Sequence, residues 1–237
     1  MPIKITIRKY LKGKNNLDIV LESVVSVILA CVFAVFGRWY KDYFLEKKKR
    51  SLKETFQTSP KFLIILMVVF LIFAAVSIII ARNKGQSYLI LWENQVVWYL
   101  FLLTAYIDFK VKKIPNQLIL LLIVIRFCFI VIGAIISFET LWTILLFSAV
   151  GFITGGGIIL ICLLISRGGV GFGDMKLFAV TGLYFGLQGV IAIMMYSLFL
   201  AALYGIFLWI SKKANAKSTI AMAPFIFLGL SFHLFIS

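Results

Sequence analysis

The chain consists of long apolar runs separated by short polar segments. A helix needs roughly 20 apolar residues to cross about 30 Å of hydrocarbon, and several runs approach or exceed that length. They cover residues 19–36, 62–81, 89–107, 118–137, 141–165 and 219–236. Each of these runs predicts one membrane segment.

The apolar stretch 175–210 is too long for a single span. Near its middle lies Gly186-Leu187-Gln188-Gly189, a sequence typical of a turn. We therefore expect a short helix over 175–187 and a second helix over 189–210. The whole pattern predicts an all-α fold, a polytopic transmembrane helix bundle with about eight membrane segments.

Composition agrees with this fold class. Hydrophobic residues make up 62% of the chain and charged residues 14%, with a mean hydropathy of +1.07, whereas soluble domains are about 45–50% apolar. A soluble globular protein is excluded, and the lipid bilayer is the expected surrounding. The formal net charge of +15 does not indicate nucleic acid, because the basic residues lie mainly in short loops, where the positive-inside rule accounts for them. We expect no nucleic-acid partner.

The basic residues are distributed unevenly between the two sides of the predicted bundle. Of the 24 lysines and arginines, 16 fall on the face that carries loops 38–61 and 109–117, and 7 fall on the other face. Because cytoplasmic loops carry the excess of basic residues, we predict a multi-pass cell-membrane protein with these loops in the cytoplasm. Residues 1–88 would form an N-terminal tail, two membrane segments and a basic loop. Residues 89–237 would form a six-segment domain.

Ionisable side chains at membrane depth are costly, which makes them candidates for function. We expect Glu22 to be interfacial or to cap a helix, and Arg126 to have a structural role. Asp108 and Asp174 differ from these, because both reach the same predicted cytoplasmic face. Each also has an ordinary explanation: Asp108 as a solvated acid, and Asp174 as the N-cap of a helix beginning at Met175.

The segments around both acids favour a functional site. Asp174 ends a glycine-rich approach over residues 167–173, where glycines permit close contact with an extended chain. Asp108 is followed by Ile114-Pro115-Asn116, a break that fixes where the chain re-enters the membrane.

With these elements the sequence resembles the type IV prepilin peptidases, the GxGD class of membrane aspartyl proteases. The resemblance covers roughly residues 89–236 and rests on Asp108 with Ile114-Pro115-Asn116, on Gly171-Phe172-Gly173-Asp174 with Met175-Lys176-Leu177, and on Ala223-Pro224-Phe225. It implies that Asp108 and Asp174 are the catalytic pair. It also implies a set of site-shaping residues, namely Gly171, Gly173, Lys176, Ile114, Pro115 and Asn116. The implied reaction is removal of the basic leader peptide from prepilin or pseudopilin substrates at the cytoplasmic membrane face.

Two carboxylates suffice for amide hydrolysis. One acts as an ionised general base toward water and the other, protonated, donates to the carbonyl oxygen, a state that close like charges produce. We therefore expect no metal and no cofactor.

Many family members carry a cytoplasmic domain with paired CxxC motifs, associated with N-methylation, between the first two spans. Here that loop, residues 38–61, is short and has no cysteine, so a peptidase without methyltransferase activity is predicted.

Two other functions stay open. A small ion- or proton-coupled transporter would use the glycine-rich stretch as an interrupted helix and the two aspartates as ligands. Against it, the sequence shows no inverted repeat, and both acids lie near a membrane surface. An intramembrane protease similar to presenilin would share the GxGD element. Prepilin processing is favoured over this alternative by Ile114-Pro115-Asn116. Pilus, competence and secretion substrates are not distinguished by the sequence.

Overall fold

A computed structural model describes residues 16–49, 60–165, 171–211 and 220–236. These residues form seven α-helices and a short 3-10 turn at Phe138–Thr140, and none of them is in a strand. The helices are α1 (Asn16–Lys49), α2 (Pro60–Lys84), α3 (Tyr88–Val111), α4 (Asn116–Ile136), α5 (Leu141–Ile165), α6 (Phe172–Ile210) and α7 (Ala223–Ile236). Helices α1 to α6 are long and apolar enough to cross a membrane, and α7 is a shorter apolar helix of 14 residues. The predicted all-α membrane bundle is confirmed.

Two compact units divide the chain, residues 1–99 and residues 100–237. The boundary falls inside α3, so the first half of this helix belongs with α1 and α2 and the second half with α4 to α7. The division predicted between residues 88 and 89 rested on the likeness to a catalytic domain and stays a prediction.

In the first unit, α2 and α3 are joined by aromatic stacking and by one polar bridge. Phe73 stacks on Trp98 with ring centroids 3.8 Å apart. Nearby, Gln95 Nε2 donates to Ser77 Oγ at 2.7 Å. Between apolar helices a directed hydrogen bond of this kind specifies how one helix is rotated against the next.

Glu22 and Arg82 join α1 to α2. Arg82 Nε lies 3.8 Å from Glu22 Oε2, and the Glu22 side chain is 2% exposed. Glu22 does not cap a helix, because it lies inside α1 and is buried; its expected position at the membrane interface stays a prediction. A buried carboxylate needs a partner, and here the partner comes from the far end of the next helix.

The first polar connection also differs from the prediction of a loop over 38–61. Helix α1 continues through Lys49, because residues 38–49 contain no glycine or proline. Side chains one turn apart support this extension, as Trp39 stacks on Tyr43 with centroids 5.8 Å apart. Residues 50–59 of this connection lie outside the described residues.

Gly186 divides α6 into two arms. Its φ of 65° and ψ of −169° are not helical, and glycine adopts a positive φ without steric cost. A Cβ added to Gly155 of α5 would lie 2.9 Å from Val190 Cγ2 and closer still to the Phe178 carbonyl oxygen. Val190 Cγ2 and the Phe178 carbonyl oxygen are therefore less than about 6 Å apart. In a straight helix residues 178 and 190 would be separated by about 18 Å. The chain folds back at Gly186, as the turn signal predicts.

Both arms pack closely on neighbouring helices. The first arm, residues 172–185, is roughly 21 Å long and thus shorter than the hydrocarbon layer. It packs on α5, and at this contact Gly151 and Gly182 bring the two backbones into direct contact. Small residues spaced four positions apart along a helix allow such close packing. The second arm, residues 187–210, packs on α7, where Gly229 lies against Ser197.

Arg126 joins α4 to its neighbours in this unit. It is 6% exposed, and one guanidinium nitrogen, Nη2, donates to Ser148 Oγ of α5 at 2.8 Å. Its central carbon lies 5.4 Å from the centroid of the Tyr184 ring on the first arm of α6. Arg126 therefore has the structural role expected from its position in a span.

Candidate active site

The ends of four helices in the second unit converge on one place. Helix α3 ends there, and α4, α6 and α7 begin there. Helix N-termini present backbone N–H groups without intrahelical partners and the positive ends of helix dipoles. Both features favour carboxylates, and two carboxylates occupy this place, Asp108 from the last turn of α3 and Asp174 from the first turn of α6.

Asp108 is tied to the beginning of α7. The residue is 4% exposed, and its Oδ2 accepts a hydrogen bond from the backbone N–H of Ala223 at 3.1 Å. Helix α3 ends one turn later, where the Lys112 N–H donates to the Asp108 carbonyl oxygen at 2.6 Å and Lys112 has a φ of 51°. This left-handed residue is a common way to end a helix, and it turns the chain away just after the carboxylate.

The start of α7 explains why the Ala223 amide is available. The Met222 carbonyl accepts from the amides of Phe225 at 3.0 Å and Ile226 at 3.1 Å. Pro224, between them and Ala223, has no N–H. The Ala223 amide is therefore the donor in this turn that takes its partner from outside the helix, and the partner is Asp108.

Asp174 is the third residue of α6, not the N-cap of a helix beginning at Met175. The helix begins at Phe172, with Gly171 as N-cap in an extended conformation (φ −75°, ψ 137°). The Asp174 N–H donates to the Gly171 carbonyl oxygen at 3.1 Å, and the Asp174 carboxylate accepts from the Gly171 N–H. This return bond from the third position is half of a capping box.

The structure brings together the two acids that the sequence pairs. Their carboxyl groups interact electrostatically, and each is held by a backbone amide from Ala223 or Gly171. Asp108 is buried, whereas Asp174 is partly exposed. Two carboxyl groups held close together can share one proton and so supply a base and an acid at the same time.

The segment after Asp108 packs directly on the segment around Asp174. A Cβ added to Gly173 would lie 3.2 Å from Ile114 Cβ, so glycine permits this close approach. Lys176 Nζ donates to Asn116 Oδ1 at 3.0 Å. Pro115 is the N-cap of α4, and its carbonyl oxygen accepts from the Leu118 amide at 3.1 Å. All six residues expected to shape the site therefore lie beside the acid pair or in the contacts between its two segments.

Residues 167–170 of the expected glycine-rich approach lie outside the described residues. The Ala223 amide was not among the predicted site groups, although Pro224 at a helix start is a signal for an amide that needs an outside partner. Within the described parts of the chain, no three His, Cys, Asp or Glu side chains cluster as metal ligands. The expected absence of a metal and of a cofactor stays a prediction.

Comparison with known proteins agrees with the geometry. Residues 95–206 match the type IV leader peptidase family. Over this stretch the chain is similar to that family. A similar protein is the prepilin leader peptidase/N-methyltransferase of Bacillus subtilis (strain 168), which is 29% identical over 131 residues, or 55% of this chain and 50% of the relative. The matched part thus spans about half the length of that relative. No solved structure matches the chain.

The stretch that matches the family contains both acids and their neighbours. Asp108, the Ile114-Pro115-Asn116 break and the segment from Gly171 to Lys176 all lie within residues 95–206. Ala223 lies beyond the matched stretch, although its amide contacts Asp108. The matched stretch and α7 together therefore supply the groups around the acid pair.

Proposed function

We propose that the protein is a membrane aspartyl endopeptidase that removes the basic leader peptide from prepilin-like proteins at the cytoplasmic membrane face. The observation that carries this proposal is the electrostatic pair of Asp108 and Asp174, assembled where four helices end. The match of residues 95–206 to the type IV leader peptidase family supports leader processing in general. The name of the Bacillus subtilis relative points to the same reaction.

In the proposed reaction Asp108 and Asp174 act as one unit. The ionised carboxylate takes a proton from water, whose oxygen attacks the scissile carbonyl carbon, while the protonated carboxyl donates to the carbonyl oxygen. When the tetrahedral intermediate collapses, the C–N bond breaks and the amine leaves with a proton returned by the pair. The amides of Ala223 and Gly171 hold the carboxylates in place, so little rearrangement is needed.

The remaining site residues have positioning roles in this proposal. A Cβ added to Gly171 would lie 2.9 Å from Asp174 Oδ2, so the absence of a side chain leaves room for an extended peptide at the carboxylate. Gly173 against Ile114, and Lys176 against Asn116, connect the first turn of α6 to the segment that follows Asp108. Pro115, as the N-cap of α4, sets the residue at which that helix begins.

The orientation of the site and the absence of methyl transfer are also proposals. The excess of basic residues on loops 38–61 and 109–117 supports a cytoplasmic site. The Bacillus subtilis relative is named as a methyltransferase as well, but the short, cysteine-free connection over residues 38–61 supports a peptidase alone.

Amide substitutions test the acid pair without removing its hydrogen bonds. Asp108→Asn retains an oxygen that can accept from the Ala223 amide, and Asp174→Asn retains one for the Gly171 amide, so both variants should fold and insert. Each should lower the rate of prepilin cleavage by about 10⁴-fold or more, and the double variant should be scarcely slower, because groups acting as a unit are not additive. Lys113→Ala, which changes an exposed charge nearby, should cleave at close to the normal rate.

Cleavage is measured as the gel shift of a co-expressed prepilin. Membrane insertion is measured by protease protection. A near-normal rate in either Asn variant would show that the corresponding acid is a helix cap or a solvated carboxylate. Absence of any cleavage by the unmodified chain, with proton-coupled uptake instead, would favour a transporter.

A further inference from the structure

A groove of about 290 Å³ lies beside the acid pair, and the proposed mechanism does not use it. Helix α4 forms one wall, the first arm of α6 forms the floor, and Phe152 of α5 also lines the groove. The lining is apolar except at one end. There Asn116 and Lys176 meet through the 3.0 Å hydrogen bond, two positions along α6 from Asp174.

We expect the polar end of this groove to lie at the membrane interface. Asn116 is the first residue of α4, and exposed lysines at positions 112 and 113 precede it, as is usual where a span meets a basic loop. From Asn116 the groove extends to Ile123, two helical turns or about 10 Å into the apolar layer.

The groove is open on the side of the spans. Leu120 and Phe152 line it and are 62% and 41% exposed, although both belong to membrane-spanning helices. Its floor is closed, since Ala179 and Val180 are buried. A surface concavity at this depth, open sideways, is accessible to the acyl chains of membrane lipids.

The charge at the polar end decides which ligand fits. Lys176 is a cation, and its ammonium group has three N–H donors, of which one is directed at Asn116. Basic pockets between transmembrane helices bind anionic lipid headgroups. A basic leader peptide, which the proposed function requires of the substrate, has the wrong sign of charge for this end.

We propose that this groove binds one acyl chain of an anionic phospholipid, with the phosphate of its headgroup at Lys176 and Asn116. The bound lipid bridges α4 and the first turn of α6, the turn that carries Asp174. The lipid site does not depend on the peptidase reaction, because its residues bind through charge and apolar contact alone.

Lipid retention by the purified full-length protein tests the site without any substrate. Native mass spectrometry would measure the bound fraction during titration with phosphatidylglycerol or with phosphatidylcholine. Lys176→Gln should weaken phosphatidylglycerol binding about fivefold, the effect of one lysine at a lipid surface, and leave phosphatidylcholine binding unchanged. Ile123→Trp, which fills the groove, should abolish the retained lipid. Val124 is the next residue, is 49% exposed and does not line the groove. Val124→Trp therefore adds the same ring outside the groove, and this variant should keep the bound lipid.

Three results would overturn the assignment. Equal retention of phosphatidylglycerol and phosphatidylcholine by the unmodified protein would mean that only annular lipid is bound. Equal losses in Ile123→Trp and Val124→Trp would mean that the groove is not the site. If Ile123→Trp retained lipid but raised the KM for a prepilin in phosphatidylcholine vesicles, the groove would belong to the substrate instead.

Discussion

Replacing Gly173 by alanine should slow cleavage without weakening the fold. The added Cβ would lie 3.2 Å from Ile114 Cβ and 3.3 Å from Ile114 Cδ1, whereas carbon atoms prefer separations of about 3.5–4.0 Å. The first turn of α6 must therefore move by about half an ångström. Asp174 is the next residue, so its carboxylate moves with the turn.

The expected magnitude follows from this displacement. A misplacement of about 1 Å at a reacting group costs about 100-fold in rate, so half of that distance should lower kcat about tenfold. Alanine is about 1 kcal/mol more favourable than glycine in a helix, which offsets the local crowding. The unfolding midpoint should therefore change little, and the loss of rate should not follow a loss of stability.

The assay measures kcat for a purified prepilin in detergent together with thermal unfolding of each variant. Gly157→Ala is the matched control, since a Cβ there meets nothing within 4 Å, and its kcat should be normal. Ile114→Ala retains Cβ but removes Cδ1, at 3.3 Å, and Cγ1, at 3.5 Å, so its effect and that of Gly173→Ala should be less than additive in a double-mutant cycle. An unchanged kcat in Gly173→Ala, or an equal loss in Gly157→Ala, would refute the argument that this contact positions Asp174.

Three other predictions follow from the fold and the charge pattern. Ser148→Ala should lower the free energy of unfolding by about 1 kcal/mol, because it removes a buried partner of Arg126; an unchanged value in reversible unfolding would contradict this. In a chain without its native cysteines, a cysteine at Lys113 should resist impermeant thiol reagents in intact cells, and one at Phe138, 77% exposed, should react; the reverse pattern would invert the topology. Processed prepilin should carry no added methyl group by mass spectrometry, and a methylated N-terminus would show that loop 38–61 was misjudged.

The membrane spans could be predicted because hydrocarbon thickness sets the length of an apolar run. The run 141–165 coincides with α5, and the turn at Gly186 could be recognised because glycine tolerates a positive φ. The end of α1 could not be predicted in the same way. A helix that continues from a span into water depends on local contacts, such as the stacking of Trp39 on Tyr43, and hydropathy does not report them.

The two acids could be singled out because carboxylates at membrane depth are costly, and their neighbours because glycine and proline restrict the backbone there. Pairing between distant segments could not be predicted. The partner of Glu22 is Arg82 on the next helix, and the partner of Asp108 is an amide 115 positions later. Apolar periodicity carries no information on the register between helices, so contacts of this kind emerge only from packing.

The hydrogen bond between Asp108 and Ala223 has a consequence for how the molecule is made. The ribosome synthesises α3 and α6 before α7, so both acids enter the membrane while the amide that holds Asp108 is still absent. Asp108 acquires this partner only when α7 has left the translocon and packed beside the second arm of α6. A nascent chain therefore contains both carboxylates but not their final arrangement, and insertion of α7 is the step that completes the pair.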